Sequence, residues 1–165
     1  FECHGDHRDL RRGGRRQRQM CIRDISKSDL DKIAEAKDVL EQFKVPYDLF
    51  ISSAHRNPDK TIALAQNAKS EGIEVIIAGA GLAAHLPGII AANTTLPVIG
   101  IPFAAGALNG LDSLFSIVQM PPGVPVASMA INGAKNAALF AIQILALKDK
   151  ELEAKFATYK KDLSA

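Results

Sequence analysis

The chain has 165 residues, 47% of them apolar and 23% charged, enough for one ordinary domain with a sizeable core and outside the composition of disordered chains. Its formal charge of +2 hides an asymmetry: residues 1–24 carry seven arginines against four carboxylates, and the remainder carries thirteen basic against fourteen acidic groups. The near-neutral body gives no electrostatic case for nucleic acid or an anionic membrane. The apolar runs from Val75 and from Ala137 are broken by His85, Gln143 and Lys148, short of the roughly 18 to 20 residues of a spanning helix.

The first 24 residues, FECHGDHRDLRRGGRRQRQMCIRD, have no sustained apolar period and lack the apolar run and cleavage site of a secretory signal. An arginine-rich start also suits a transit peptide or a nucleic-acid arm. Glu2, Asp6 and Asp9 argue against the first and the neutral body against the second. The stretch 1–24 is therefore read as an atypical leader foreign to the domain, and 25–165 as a single α/β domain with a C-terminal helix. Both cysteines, Cys3 and Cys21, lie in the leader. The body thus offers no disulfide framework, thiol nucleophile or thiolate metal site, and its composition suits the cytoplasm.

From Ser26 to Phe43, Leu30, Ile33, Ala34, Ala36, Val39, Leu40 and Phe43 recur at spacings of three and four, the stripe of an amphipathic helix. Ser28 or Asp29 makes its N-cap. Val45 to Ile51, entered through Pro46, reads as a strand. After Asn57-Pro58-Asp59, the segment Lys60 to Ser70 is helical, with Pro58 in the first turn and Gly72 beyond the end. The β-branched run Ile73 to Ala78 reads as a buried parallel strand. Gly79-Ala80-Gly81 then turns into a helix over 84–92. Pro97 to Ile101 is the next strand, Asn109 to Val118 a helix and Val124 to Met129 a strand. Ala134 to Leu147 is a long apolar helix continuing into the amphipathic Lys148 to Leu163. Strands alternating with such helices make βαβ units and a parallel sheet, so the fold class is α/β. A strand must also precede the first helix, and Met20-Cys21-Ile22 is a poor central strand. The expectation is a sheet whose first strand is missing or replaced by the leader.

In an open parallel sheet, ligands lie beyond the carboxyl ends of the strands. The body has two histidines, His55 and His85, and one arginine, Arg56, all just after expected strands. Ser52-Ser53-Ala54-His55-Arg56 precedes a helix, where backbone N–H groups favour an anion and the guanidinium suits phosphate. The plainer alternative pairs Arg56 with a surface carboxylate and leaves His55 to cap or pack. Ser26 and Asp29, in Ser26-Lys27-Ser28-Asp29, occupy the first strand-to-helix turn and could bind phosphate and ribose or simply cap. The small residues Gly79 and Ala80 let a ligand ring approach the backbone. His85 is a catalytic candidate, or else caps its helix. The spacing after Gly79 is not GxGxxG and no GxxxxGK[ST] occurs, so ATP and NAD lack support. Two histidines without cysteine or closely spaced carboxylates make no metal centre, and no cofactor is expected.

The blocks SAHRNPD, VIIAGAGLAAHLPG, PVIGIP, ALNGLDSLFSIVQMPPGVPVASMAI and NAALFAIQILALKD resemble, in order, those of the bacterial-type N5-carboxyaminoimidazole ribonucleotide mutase family of purine biosynthesis, over about residues 26–150. The resemblance implies a flavodoxin-like three-layer αβα sandwich assembled as a homo-octamer, with C-terminal helices reaching onto neighbours and active sites at subunit junctions. It also implies transfer of a carboxylate from the exocyclic nitrogen of a ribonucleotide to ring carbon four without a cofactor. By its motifs, Ser26 and Asp29 match the serine and aspartate of a GSxSD loop that hold phosphate and ribose. Ser53 and Arg56 match substrate-binding residues, His55 the catalytic histidine, and His85 a histidine lining the site. Ile25 stands where the family has glycine. The competing readings are a carboxylase taking free CO2, a non-catalytic phosphoribosyl-binding module, and an arginine-led nucleic-acid binder.

Overall fold

The computed structural model describes residues 19–23 and 31–164. Among these residues five parallel strands, β1 (Gln19–Arg23), β2 (Tyr47–Phe50), β3 (Ile73–Gly81), β4 (Val98–Phe103) and β5 (Ala127–Ser128), form one sheet in the order β2-β1-β3-β4-β5. Among the described residues the helices are α1 (Ala34–Phe43), α2 (Pro58–Asn67), α3 (Leu86–Ala92), α4 (Leu111–Val118), α5 (Ala134–Ala146) and α6 (Lys150–Asp162). The strand order is that of the flavodoxin-like doubly wound sheet.

Alternation along β3 makes the three layers. Val75 and Ile77 join a buried cluster with Ile33, Leu40 and Phe43 from the α1 side and Ala137, Ala141 and Ile142 of α5. Ile76 and Ala78 point the other way, among Ala65 of α2 and Leu86 and Ile90 of α3. A strand buried on both faces needs apolar residues at every position, and the β-branched run supplies them.

The first strand is present, and it comes from the leader. β1 pairs in parallel with β2 from Met20 opposite Tyr47 to Arg23 opposite Phe50, and with β3 from Met20 opposite Val75 to Arg23 opposite Ala78. A central place is secured by two backbone ladders, which any sequence without proline can supply, and here they outweigh the weak apolar pattern. The expected N-caps Ser28 and Asp29 lie outside the described residues, and a 3₁₀ turn over 31–33 leads into α1.

Other boundaries also shift from expectation by a few residues, three of them for a visible physical reason. β3 does not stop at Ala78: Gly79, Ala80 and Gly81 stay in the sheet opposite Ile101, Pro102 and Phe103. A Cβ on Gly79 would overlap the Phe103 ring, so glycine there permits the strand rather than ending it. β5 shrinks to two residues, after Pro125, which has no N–H for a ladder. The C-terminal helix is two helices, because the chain breaks over 147–149 and the Asp149 carboxylate caps α6, accepting from the N–H groups of Glu151 (3.0 Å) and Leu152 (3.2 Å). The apolar period runs on through this break, which hides it in the sequence. In the single chain α6 folds back on α1, with Tyr159 edge-on to Phe43 at a centroid distance of 5.6 Å. No helix among the described residues is long and apolar enough to cross a membrane.

Candidate active site

Parallel strands put all their carboxyl ends on one rim. The loop after β2 is a tight turn in which Ser53 O accepts from the N–H groups of Arg56 (3.1 Å) and Asn57 (2.8 Å), while Ser53 Oγ also lies 3.4 Å from Arg56 N. Below it, Ser52 Oγ meets Thr61 Oγ1 at 2.9 Å. Ala54 is buried and anchors the turn, which leaves His55 and Arg56 exposed. Asn57 then caps α2, its Oδ1 accepting from Lys60 N.

The loop after β3 is set by Leu82, which adopts φ +54. The N–H groups of Ala84 and His85 fold back onto the carbonyls of Leu82 and Ala83. With Ala84 and Leu86 both buried, His85 between them faces outward at the start of α3. It makes no side-chain cap. Instead the two loops meet: His55 Nε2 lies 2.8 Å from His85 Nδ1, the rings edge to face at a centroid distance of 5.0 Å. In the neutral pair one ring nitrogen donates and the other accepts, so a single proton lies between them. Since β1 runs between β2 and β3, this pair joins the two loops that flank the β1 end, where Ser26 and Asp29 follow in sequence. Both of those residues, and Ile25, lie outside the described residues.

The arrangement offers two exposed imidazoles that share a proton, with Arg56 beside one of them. Among the described residues the Arg56 guanidinium has no carboxylate or hydrogen-bond partner, so the surface ion pair that would make it structural is not found there. Ser53 is half-buried in its turn, and Ala80 half-buried near the rim. Gly79 is buried within β3, against the Phe103 ring. No group of three or more metal-ligating side chains occurs among the described residues. Two further residues reach this rim: Lys32, whose Nζ donates to Ala104 O (3.0 Å), and Asn132, whose Oδ1 accepts from Ala104 N (3.0 Å). Neither carries a motif, since each matters through a partner far along the chain. The only local hint is Asn132-Gly133, where asparagine tolerates the φ of +58 it adopts.

The profile described as AIR carboxylase matches residues 19–165. The N5-carboxyaminoimidazole ribonucleotide mutase of Pyrococcus horikoshii is 59% identical over 138 residues, covering 84% of this chain and 78% of that one. The Escherichia coli protein of the same name is 52% identical over 138 residues, covering 82% of each. The solved structure of Treponema denticola PurE superposes with a TM-score of 0.80 at 25% identity, covering 88% of this chain and 91% of that chain.

Proposed function

The chain belongs to the AIR carboxylase family, and from that premise we propose that it is a mutase of purine biosynthesis converting N5-carboxyaminoimidazole ribonucleotide to 4-carboxyaminoimidazole ribonucleotide at the rim carrying His55. The observation that carries this reading is the contact of His55 with His85, two residues thirty apart in sequence that meet beyond the carboxyl ends of β2 and β3.

The reaction needs one proton delivered and one removed. Breaking the N–C bond of the carbamate releases CO2 and leaves the exocyclic nitrogen to take a proton. Ring carbon four then attacks the CO2, and its own proton must leave. Imidazole gives and takes a proton near neutral pH, so His55 serves as the acid and then as the base, returning to its starting state. His85, hydrogen-bonded to it, orients the ring. Arg56 and Ser53, with Ser26 and Asp29 from the preceding connection, hold the phosphate and ribose, so that remote binding energy keeps the imidazole against CO2 otherwise lost to solvent. No cofactor enters these steps.

His55, Arg56 and His85 are exposed in the single chain, so the crevice is open where CO2 would have to be retained. A homo-octamer with sites at subunit junctions closes it, and such an assembly in the cytoplasm is part of the proposal.

The test is His55→Asn assayed with the carboxylated ribonucleotide. Ligand binding is retained and turnover falls by at least about a thousandfold, within the range general acid–base catalysis supplies. Full activity of this variant overturns the assignment. Supplying aminoimidazole ribonucleotide and CO2 in parallel separates the mutase from the carboxylase, and stoichiometric binding without product marks a mere binding module.

A further inference from the structure

We infer that Lys32 is a positioning residue for this rim, fixing the connection between β4 and α4 and acting on the reaction through Ala104 rather than through the substrate. The inference rests on the reading of the rim as the mutase site.

Lys32 lies in the 3₁₀ turn before α1, three residues after Asp29 and six after Ser26. Its half-buried side chain leaves that turn and ends on Ala104 O at 3.0 Å, 72 residues away. Here its ammonium stands 5.4 Å from the centroid of the Phe103 ring, a cation–π contact that favours the same rotamer as the hydrogen bond. Phe103 is itself fully buried, so it offers a rigid platform. The N–H of Ala104 is taken from the other side by Asn132 Oδ1 at 3.0 Å. Asn132 is fixed in turn, its N–H donating to Pro102 O (2.8 Å) and its carbonyl accepting from Ala134 N (2.9 Å). Ala104 is thus clamped between a lysine that follows β1 and an asparagine that follows β5.

What the clamp holds leads to the histidines. Two residues after Ala104, Gly106 at φ +61 packs so closely on Leu82 that a Cβ there would come within 2.9 Å of Leu82 Cδ2. Leu82 is the positive-φ residue of the loop that delivers His85 to His55. The contacts therefore run from Lys32 through Ala104, Gly106 and Leu82 to the proton-sharing pair. Without its donor, the Ala104 carbonyl loses its charged partner and the connection is released at one end.

The experiment compares the full chain with Lys32→Met, which keeps the apolar stem over Phe103 but loses the donor, and with Lys32→Arg. Lys32→Met is expected to lower kcat about tenfold or more with KM for the ribonucleotide changed less than about threefold, because small misplacements of reacting groups act on turnover. Lys32→Arg, which still presents N–H donors, recovers most of the loss. Amide exchange over residues 104–110, read without substrate, is faster in Lys32→Met than in the parent. Unchanged exchange overturns the inference, as does wild-type kcat in Lys32→Met. A rise in KM at constant kcat also overturns it, since that marks a lysine binding the phosphate directly. Should Lys32→Met not fold, Asn132→Gly removes the opposite arm of the clamp at a φ that glycine accepts, and wild-type kcat and exchange there overturn it equally. A parent chain inactive on the ribonucleotide defeats the mutase reading alone and leaves the exchange measurement to decide the clamp.

Discussion

At Gly79 the sheet has room for a hydrogen atom only, because the ring of Phe103 on the neighbouring strand lies over it. Gly79→Ala is expected to lower stability by about 1–3 kcal/mol, the usual result of overfilling a packed interior, measured as a shift in the denaturation midpoint at constant slope. In a Phe103→Leu background the same change is expected to cost less, since the atoms it meets are gone. Equal losses in both backgrounds would mean that Gly79 serves something other than this packing. The contrast with His55 shows what a sequence displays at this scale. His55, Arg56 and His85 stand out because their chemistry is intrinsic and their types are rare in the body. Lys32 is one of many lysines, and Gly79 looks like part of a turn. Their roles are conferred by Ala104 and Phe103, which only the folded sheet brings near.

Between elements, β2 is fastened to the end of α1 by the Tyr47 hydroxyl, which donates to Glu41 Oε1 at 3.0 Å. Burial first, and then this bond to a carboxylate, hold the Tyr47 hydroxyl above its ordinary pKa of 10.0. A hydroxyl that ionises less readily folded than unfolded stabilises the fold fully below its unfolded pKa, and that contribution is lost as pH rises through the folded one. The urea midpoint is therefore expected to fall more steeply from about pH 9 to 11 in the parent than in Tyr47→Phe, as the model tyrosine value of about 10 requires. Parallel slopes for the two chains would show that the bond does not survive in solution. The existence of the elements was legible because the α1 stripe and the β-branched β3 run each follow one period over many residues. The ends were less legible. The sheet recruits Gly79–Gly81 through pairing with β4, Asp149 restarts a helix inside a continuing apolar pattern, and β1 is held by neighbours on both sides rather than by its own composition.

For the molecule as a whole, the match to the family begins at residue 19, where β1 also begins, and six of the seven arginines of the first 24 residues precede it. A chain starting at residue 19 is expected to keep its circular dichroism and its turnover, and loss of both would make the arginine-rich stretch part of the functional unit. The body itself presents a surface that a monomer does not explain. On α4, Ser113 and Ile117 are fully buried, while Leu111, Phe115 and Val118 are 49%, 58% and 51% exposed. Spaced four and three apart, they form one outward stripe, so this helix is apolar on the face it turns to water as well as on the one it buries. We assign that stripe to a subunit contact of the proposed octamer, the same assembly invoked above to close the open rim. Phe115→Glu, a charge set in the middle of the stripe, is expected to shift the mass in sedimentation from eight copies of the 17.7 kDa chain toward smaller species, with the fold of each chain intact. Because His55 and Arg56 are exposed in the single chain, turnover should fall in step with the loss of octamer. An octamer that persists in Phe115→Glu would put the contacts on another face, and full activity in the dissociated chain would mean that one chain closes its own site around CO2.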